Sequence, residues 1–191
     1  MKRWLPLFML TMLAVILTSS TGYSQYRPGT HTIGLNATVV TEPVGWGMNY
    51  ELGYDESLGL GLIVRYWSPE TRKAYESRGE ASIDRETYMI QMQAVYHALP
   101  ASAWDPYGGI RLGYSYYTET FTTSGIVVGI TQPEPIAESG ITLSIVAGMR
   151  YYVSEQLSLG AALEYFLFND DKYFKNESTT GLMFDLSFTL R

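Results

Sequence analysis

His31 and His97 are the only imidazoles in the chain. An imidazole beside a hydroxyl nucleophile is the usual general base of acyl transfer, provided the two lie within hydrogen-bond reach. A second set of residues suited to chemistry is ionic, with Glu51, Glu164 and Asp185 set against Arg65, Arg111 and Arg150. Guanidinium forks match carboxylates, so these six can form either a pathway for protons and ions or an internal ion-pair network. Asn169-Asp-Asp171 is a small acidic cluster that either holds a divalent ion or is simply solvated. Asn176-Glu-Ser178 matches a glycosylation acceptor pattern. There is no cysteine, which removes thiol catalysis, thiolate metal sites, disulfides and a lipidated N-terminal cysteine together. No phosphate-cradling glycine loop or metal-ligand spacing occurs elsewhere. These residues give no catalytic, cofactor-binding or metal site, and no cofactor is expected.

The elements that must position the charged residues are strands. In Gly181-Leu-Met-Phe-Asp-Leu-Ser-Phe-Thr-Leu-Arg191 every even position is large and apolar, while the odd ones are mostly small or polar. A period of two is the mark of a strand with two unlike faces. The same pattern recurs over residues 31–40, 45–54, 58–67, 87–98, 107–119, 141–153 and 157–168. With the last stretch, eight strands are expected. A final strand left unpaired would be a liability, so it should close a barrel against the first and seventh strands.

Which face points outward follows from lysine and glycine. Lysine occurs only at Lys2, Lys73, Lys172 and Lys175, in the leader and in expected loops. A water-facing sheet should carry lysines for solubility. Nine strand glycines (34, 47, 53, 59, 61, 109, 113, 148 and 160) fall on the polar face. Glycine weakens a strand, but a narrow barrel interior needs the room it leaves. The polar face therefore lies inside and the apolar face meets lipid, which opposes a periplasmic lipocalin-like carrier with the reverse arrangement. The interior should hold the six charged residues with Asn36, Asn49, Gln91, Gln93, Thr142 and Ser144. At eight strands such an interior is filled by side chains, which favours a plugged lumen over a narrow channel. Asp185 is expected to meet an arginine.

Connections 68–86, 120–140 and 169–180 are long, whereas 55–57, 99–105 and 154–156 are short, with 41–44 a short exception on the long-loop side. Short periplasmic turns and long external loops are the asymmetry of outer-membrane barrels. Trp46, Tyr66, Trp67, Tyr88 and Tyr116 then read as an external aromatic girdle, and Tyr54, Tyr96, Trp104, Tyr107 and Tyr151 as the periplasmic one. His31 falls at the periplasmic interface and His97 at the periplasmic rim, facing it as a polar residue. The mixed charges of 68–86 suit a solvated hairpin tip able to contact lipopolysaccharide phosphates. Around Ile126-Val-Val-Gly-Ile130 the fifth and sixth strands should extend beyond the membrane, as an edge open to a partner strand at 120–140.

Residues 1–24 read as a cleavable signal peptide: Lys2 and Arg3, an apolar run to Leu17, and the small polar exit Thr18–Ser24. Residues 25–191 are then one barrel domain of about 165 residues. The net charge of −6 becomes about −8 without the leader, which argues against a nucleic-acid partner. A 14% aromatic content with 16 tyrosines and 18 glycines suits a β protein.

These strands, the leader and Pro106-Tyr-Gly-Gly-Ile-Arg-Leu-Gly-Tyr-Ser-Tyr-Tyr117 resemble the small outer-membrane β-barrel family. That family includes the OmpA transmembrane domain, OmpX-like and opacity-like proteins. The resemblance implies an all-β, eight-stranded antiparallel up-and-down transmembrane barrel in the cell outer membrane. It further implies contact with outer-membrane lipids and lipopolysaccharide, insertion by the barrel-assembly machinery and a monomeric state. Family members usually end on an aromatic residue, whereas here Phe188 lies three residues before the end; no wall-binding domain is expected after the barrel. The glycosylation pattern carries no weight in such a protein. Some eight-stranded barrels modify lipid A, but both histidines fall at the end away from that substrate. The expectation is a non-enzymatic structural or adhesion-like surface protein acting through 68–86, 120–140 and 169–180.

Overall fold

The computed structural model describes residues 27–39, 44–67, 72–76, 79–100, 102–125, 134–169 and 180–190. The expected signal peptide, Asp170, Asp171, the 176–178 pattern and the 126–130 run lie outside the described residues. Among the described residues there are nine strands: β1 His31–Val39, β2 Gly45–Gly53, β3 Leu58–Trp67, β4 Arg72–Glu76, β5 Gly79–His97, β6 Trp104–Gly125, β7 Ile136–Tyr152, β8 Leu157–Asn169 and β9 Thr180–Leu190. Their order is β3-β2-β1-β9-β8-β7-β6-β5-β4, and a further pairing of β3 with β5 closes the ring. Eight strands thus form an antiparallel up-and-down barrel, with β4 a short ninth strand beside the outer part of β5. The last strand seals it, pairing with β1 (Leu35 opposite Leu186) and with β8 (Leu159 opposite Leu186).

Alternation makes the wall two-faced. Along β9 every second residue is buried, from Gly181 to Thr189, while Leu182, Phe184, Leu186, Phe188 and Leu190 are exposed. The same phase holds in β1, where Thr32, Asn36 and Thr38 are buried and Leu35 is 60% exposed. An apolar exterior around a buried polar interior is the reverse of a water-soluble barrel. The nine glycines share the inward phase. At Gly160 a Cβ would run into the Asp185 carboxylate, so the missing side chain there is the space its neighbour occupies.

The turns at one end are built from local side chains. Asp55 Oδ1 accepts hydrogen bonds from the backbone N–H groups of Ser57 (2.7 Å) and Leu58 (2.8 Å). Ser154 Oγ does the same for Gln156 (3.3 Å) and Leu157 (3.1 Å). Both are ways for a short polar side chain to reverse the chain in a few residues. Before β1, Pro28 and Gly29 occupy the centre of a turn in which Thr30 N–H donates to the Arg27 carbonyl (3.1 Å). Gly29 has φ +82°, the left-handed backbone that only glycine adopts freely at this turn position.

Three strands run further than their sequence pattern predicts. β5 starts at Gly79 instead of residue 87, β6 covers Trp104–Gly125 instead of 107–119, and β7 starts at Ile136 instead of residue 141. The added segments lie beyond the apolar belt, so no hydrophobic alternation marks them. They are held by continuous pairing, from Gly79 opposite Gly125 down to His97 opposite Tyr107. The expected charged loop 68–86 is in large part a β4–β5 hairpin, with Arg72 opposite Ile83. Lys73 therefore lies on a strand, correcting the placement of all lysines outside strands; that strand stands clear of the barrel wall.

Two girdle assignments also change. Trp67 is 1% exposed and Tyr107 7%, and both point into the barrel. The reason is parity, because their neighbours Tyr66 and Gly108 take the outward phase. Trp46, Tyr54, Tyr88, Tyr96 and Tyr116 do lie exposed on the outer face.

Candidate functional site

The charged residues read from the sequence converge inside the barrel. β3 and β8 stand four strands apart either way round the ring, so they are diametrically opposite. Arg65 of β3 crosses the lumen to Glu164 of β8, with Nη1 2.6 Å from Oε2 and Nη2 2.9 Å from Oε1. Arg111 Nη1 donates to the same carboxylate at 2.7 Å, and Ser144 Oγ donates to Oε1 at 2.5 Å. Arg65 also donates to Gln91 Oε1, whose amide nitrogen donates to Thr142 Oγ1 at 3.0 Å. Arg111 Nε donates to Gln93 Oε1 at 3.2 Å. All of these side chains are buried, as satisfied polar groups can be.

A second crosspiece lies nearer the short-turn end. Arg150 of β7 reaches Glu51 of β2, again the opposite strand, with Nη2 3.2 Å from Oε2 and Nη1 3.4 Å from Oε1. His97 joins this group. Its Nδ1 lies 2.6 Å from Asp105 Oδ2 and its Nε2 3.0 Å from Glu51 Oε1. The Tyr107 ring faces both the His97 ring (6.1 Å between centroids) and the Arg150 guanidinium (5.5 Å).

Buried apolar side chains lie alongside these networks. Ile63, Val95, Tyr107, Val146, Ala162 and Met183 form one buried cluster, and Met183 Sδ lies 3.9 Å from Arg111. Towards the long-loop end Trp67, Met89, Tyr117 and Phe166 form another. Beyond it the Tyr117 hydroxyl donates to Glu119 Oε2 (2.5 Å), which also accepts from Arg85 Nε (3.0 Å).

Of the residues expected inside, Glu51, Arg65, Arg111, Arg150, Glu164, Gln91, Gln93, Thr142 and Ser144 are linked as two networks. Asn36 and Asn49 bond to each other at 3.5 Å, apart from the arginines. Asp185 departs from expectation. Among the described residues no arginine lies within ion-pair distance of it, and its Oδ2 accepts from Ser187 Oγ at 2.7 Å. The three arginines are drawn instead to Glu164 and Glu51, whereas Asp185 sits opposite Asn36 and Gly160.

His97 is also corrected: it is fully buried among carboxylates instead of facing the rim. Its signal was present, since it shares the inward phase of Gln91 and Gln93. Asp105 was not singled out, though it shares the phase of Arg111. His31 lies on the exposed face with Nδ1 2.8 Å from the Tyr50 hydroxyl. Among the described residues no group of three or more histidine or carboxylate side chains is arranged to hold a metal ion.

An apolar outside, a buried polar inside and a closed ring of eight strands define a barrel that lives in lipid. The family model described as "Outer membrane protein beta-barrel domain" matches residues 10–188. The chain belongs to this outer-membrane barrel family. It is accordingly a protein of the outer membrane, with its apolar face towards lipid.

Solved barrels share the fold at low identity. The N-terminal β-barrel domain of Pseudomonas aeruginosa OprF is similar with a TM-score of 0.56 and 13% identity, over 85% of this chain and 98% of that one. Ail of Yersinia pestis, in complex with the heparin analogue sucrose octasulfate, gives 0.52 and 12%, over 84% and 96%. OprG from Pseudomonas aeruginosa gives 0.51 and 15%, over 88% and 99%. No curated protein sequence matches this one at a significant level.

Proposed function

We propose that this outer-membrane barrel is a non-enzymatic surface protein with a plugged lumen and an adhesion-like contact surface raised above the rim. The observation that carries the reading is the set of strands that continue past the wall. Past Tyr117 β6 runs on for eight residues, Thr118 to Gly125, about 26 Å of strand at about 3.3 Å per residue. It stays paired with β5 throughout, and β4 extends that sheet on the other side.

β7 continues this raised sheet on the side of β6 away from β5. Residues 136–141 pair with β6, from Ile136 opposite Glu119 to Ile141 opposite Tyr114. The pairing of β7 with β8 begins only at Thr142 opposite Asn169, next to a bulge between Leu143 and Ser144. Bulges end pairing and turn strands away. A partner's extended segment would add to this raised sheet by strand addition.

The plugged lumen rests on the two diametric ion pairs and the apolar clusters between and beyond them. The non-enzymatic reading rests on the histidines, since His97 faces two carboxylates and His31 a phenol. Surface interaction through 68–86, 120–140 and 169–180, lipopolysaccharide contact at 68–86, insertion by the barrel-assembly machinery and a monomeric state complete the proposal. An attachment role is in keeping with the fold shared with Ail, the attachment invasion locus protein. The test is deletion of residues 124–137 in whole cells. Surface adhesion should be lost while heat-modifiable gel mobility shows a folded barrel; unchanged adhesion would overturn the proposal.

A further inference from the structure

The buried carboxylates do not share the cations evenly. Glu164 has two guanidiniums, Glu51 and Asp105 share Arg150 and His97, and Asp185 has no cation in contact among the described residues. Across the sheet the register runs Arg150, Gly160, Asp185. Arg150 nevertheless turns both Nη atoms to Glu51. Asp185 Oδ2 accepts from Ser187, whereas Oδ1 is buried without a hydrogen-bond partner among the described residues. Ser158, opposite Ser187, is 0% exposed, and its Oγ is equally unpartnered. Over the bare Gly34, Asn49 Oδ1 and Ser187 Oγ close on the space that a Cβ would need. Four side chains thus bring oxygens to one part of the lumen, and two of these oxygens are idle. A buried carboxylate left this way is costly unless a positive charge joins it.

We infer that Asp185, Ser158, Ser187 and Asn49 form an internal site for one monovalent metal cation of the size of sodium. The ligand class follows from the atoms. Carboxylate, amide and hydroxyl oxygens suit a hard cation, and these four residues offer neither sulfur nor imidazole. The charge follows from the surroundings. One carboxylate neutralises one positive charge, and Arg65, Arg111 and Arg150 are already buried in the same lumen. A divalent ion would add an uncompensated charge beside them. Access is from the short-turn end. There the hydroxyls of Thr32 and Thr189, 3.2 Å apart, form the next inward pair below Gly34 and Ser187. A cation held here ties the closing strand β9 to β2 and β8 through charge.

The test is urea unfolding of the barrel in phosphatidylcholine vesicles, with sodium chloride exchanged for choline chloride at constant ionic strength. Choline is too large to enter the site. Raising sodium from about 30 to about 300 mM should lower the unfolding equilibrium constant about tenfold, as for any ligand bound only by the folded state. Asp185→Asn, which keeps the shape and removes the charge, should unfold alike in both salts. Ser158→Ala should lose part of the sodium effect, and it decides the matter if Asp185→Asn does not fold. Glu119→Gln, which alters a buried carboxylate outside the site, should keep the full effect. Heat-modifiable mobility checks that each variant is folded. Equal unfolding of the wild type in sodium and choline salts would overturn the inference. So would a sodium effect that Asp185→Asn and Ser158→Ala leave intact, or stabilisation by calcium but not by sodium.

Discussion

Arg65 and Glu164 meet across the full width of the barrel, from strands that no turn connects and that stand opposite each other in the ring. Both are essentially inaccessible, at 1% and 0% exposure. Two nitrogens of one guanidinium face two oxygens of one carboxylate, which fixes both side chains in plane. Glu164 serves Arg111 as well, so one carboxylate holds two cations.

That sharing makes Glu164 the costly residue to remove. Glu164→Ala should leave two buried guanidiniums without their anion and destabilise the barrel by about 3–5 kcal/mol. Replacing Arg65, Arg111 and Glu164 together by apolar residues of similar volume should cost much less, since no unpaired charge remains. Urea unfolding in lipid vesicles, followed by heat-modifiable mobility, measures both. Equal losses for the single and triple variants would show that charge pairing is not what matters here.

Gly160 and Asp185 should be energetically coupled. A methyl at Gly160 displaces the Asp185 carboxylate, and overpacking of that kind costs about 1–3 kcal/mol. In an Asp185→Ser background the same Gly160→Ala change should cost under about 0.5 kcal/mol, the range of independent sites. A double-mutant cycle gives the number directly, and additive effects would exclude a steric clash.

The outward strand phase of β9 predicts a depth profile. Leu186→Arg, near the middle of the belt, should cost about 2–4 kcal/mol, and Leu190→Arg, at the strand end, about 0–1 kcal/mol. Refolding equilibria in vesicles test the ordering. A larger penalty at Leu190 would misplace the belt.

His97 is expected to act as a strut. His97→Ala removes the ring between Asp105 and Glu51, and leaving buried acceptors unsatisfied costs about 1–3 kcal/mol each. The variant should unfold at lower urea concentration, and the acyl pattern of lipid A in cells carrying it should match the wild type. Loss or gain of an acyl chain would make His97 an enzyme residue instead.

The chain's own order of residues determined a great deal. A period of two is a local property, so β1, β2, β3 and β9 were legible to within a residue or two. The inward face of Glu51, Arg65, Arg111, Arg150, Glu164 and Asp185 followed from parity, as did the strand glycines, whereas the buried Asp105 and Glu119 were not found that way. The same rule would have placed Trp67 and Tyr107 inside, had their aromatic character not suggested the interface. Extension of β6 and β7 past the membrane was expected from the Ile126–Ile130 run, but the outer part of β5 and the β4 hairpin were not legible. Outside lipid a strand needs no apolar face, and only its neighbour's hydrogen bonds define it.

Which inward residue meets which was decided by the tertiary structure alone. Alternation assigns a face but carries no information on stagger, and the partner across a lumen depends on how the closed ring shifts strand against strand. Closure placed Glu164 before Arg65 and Arg111, gave Glu51 to Arg150 and His97, and left Asp185 beside a serine. The sequence determined which residues are inside; the ring determined their partners.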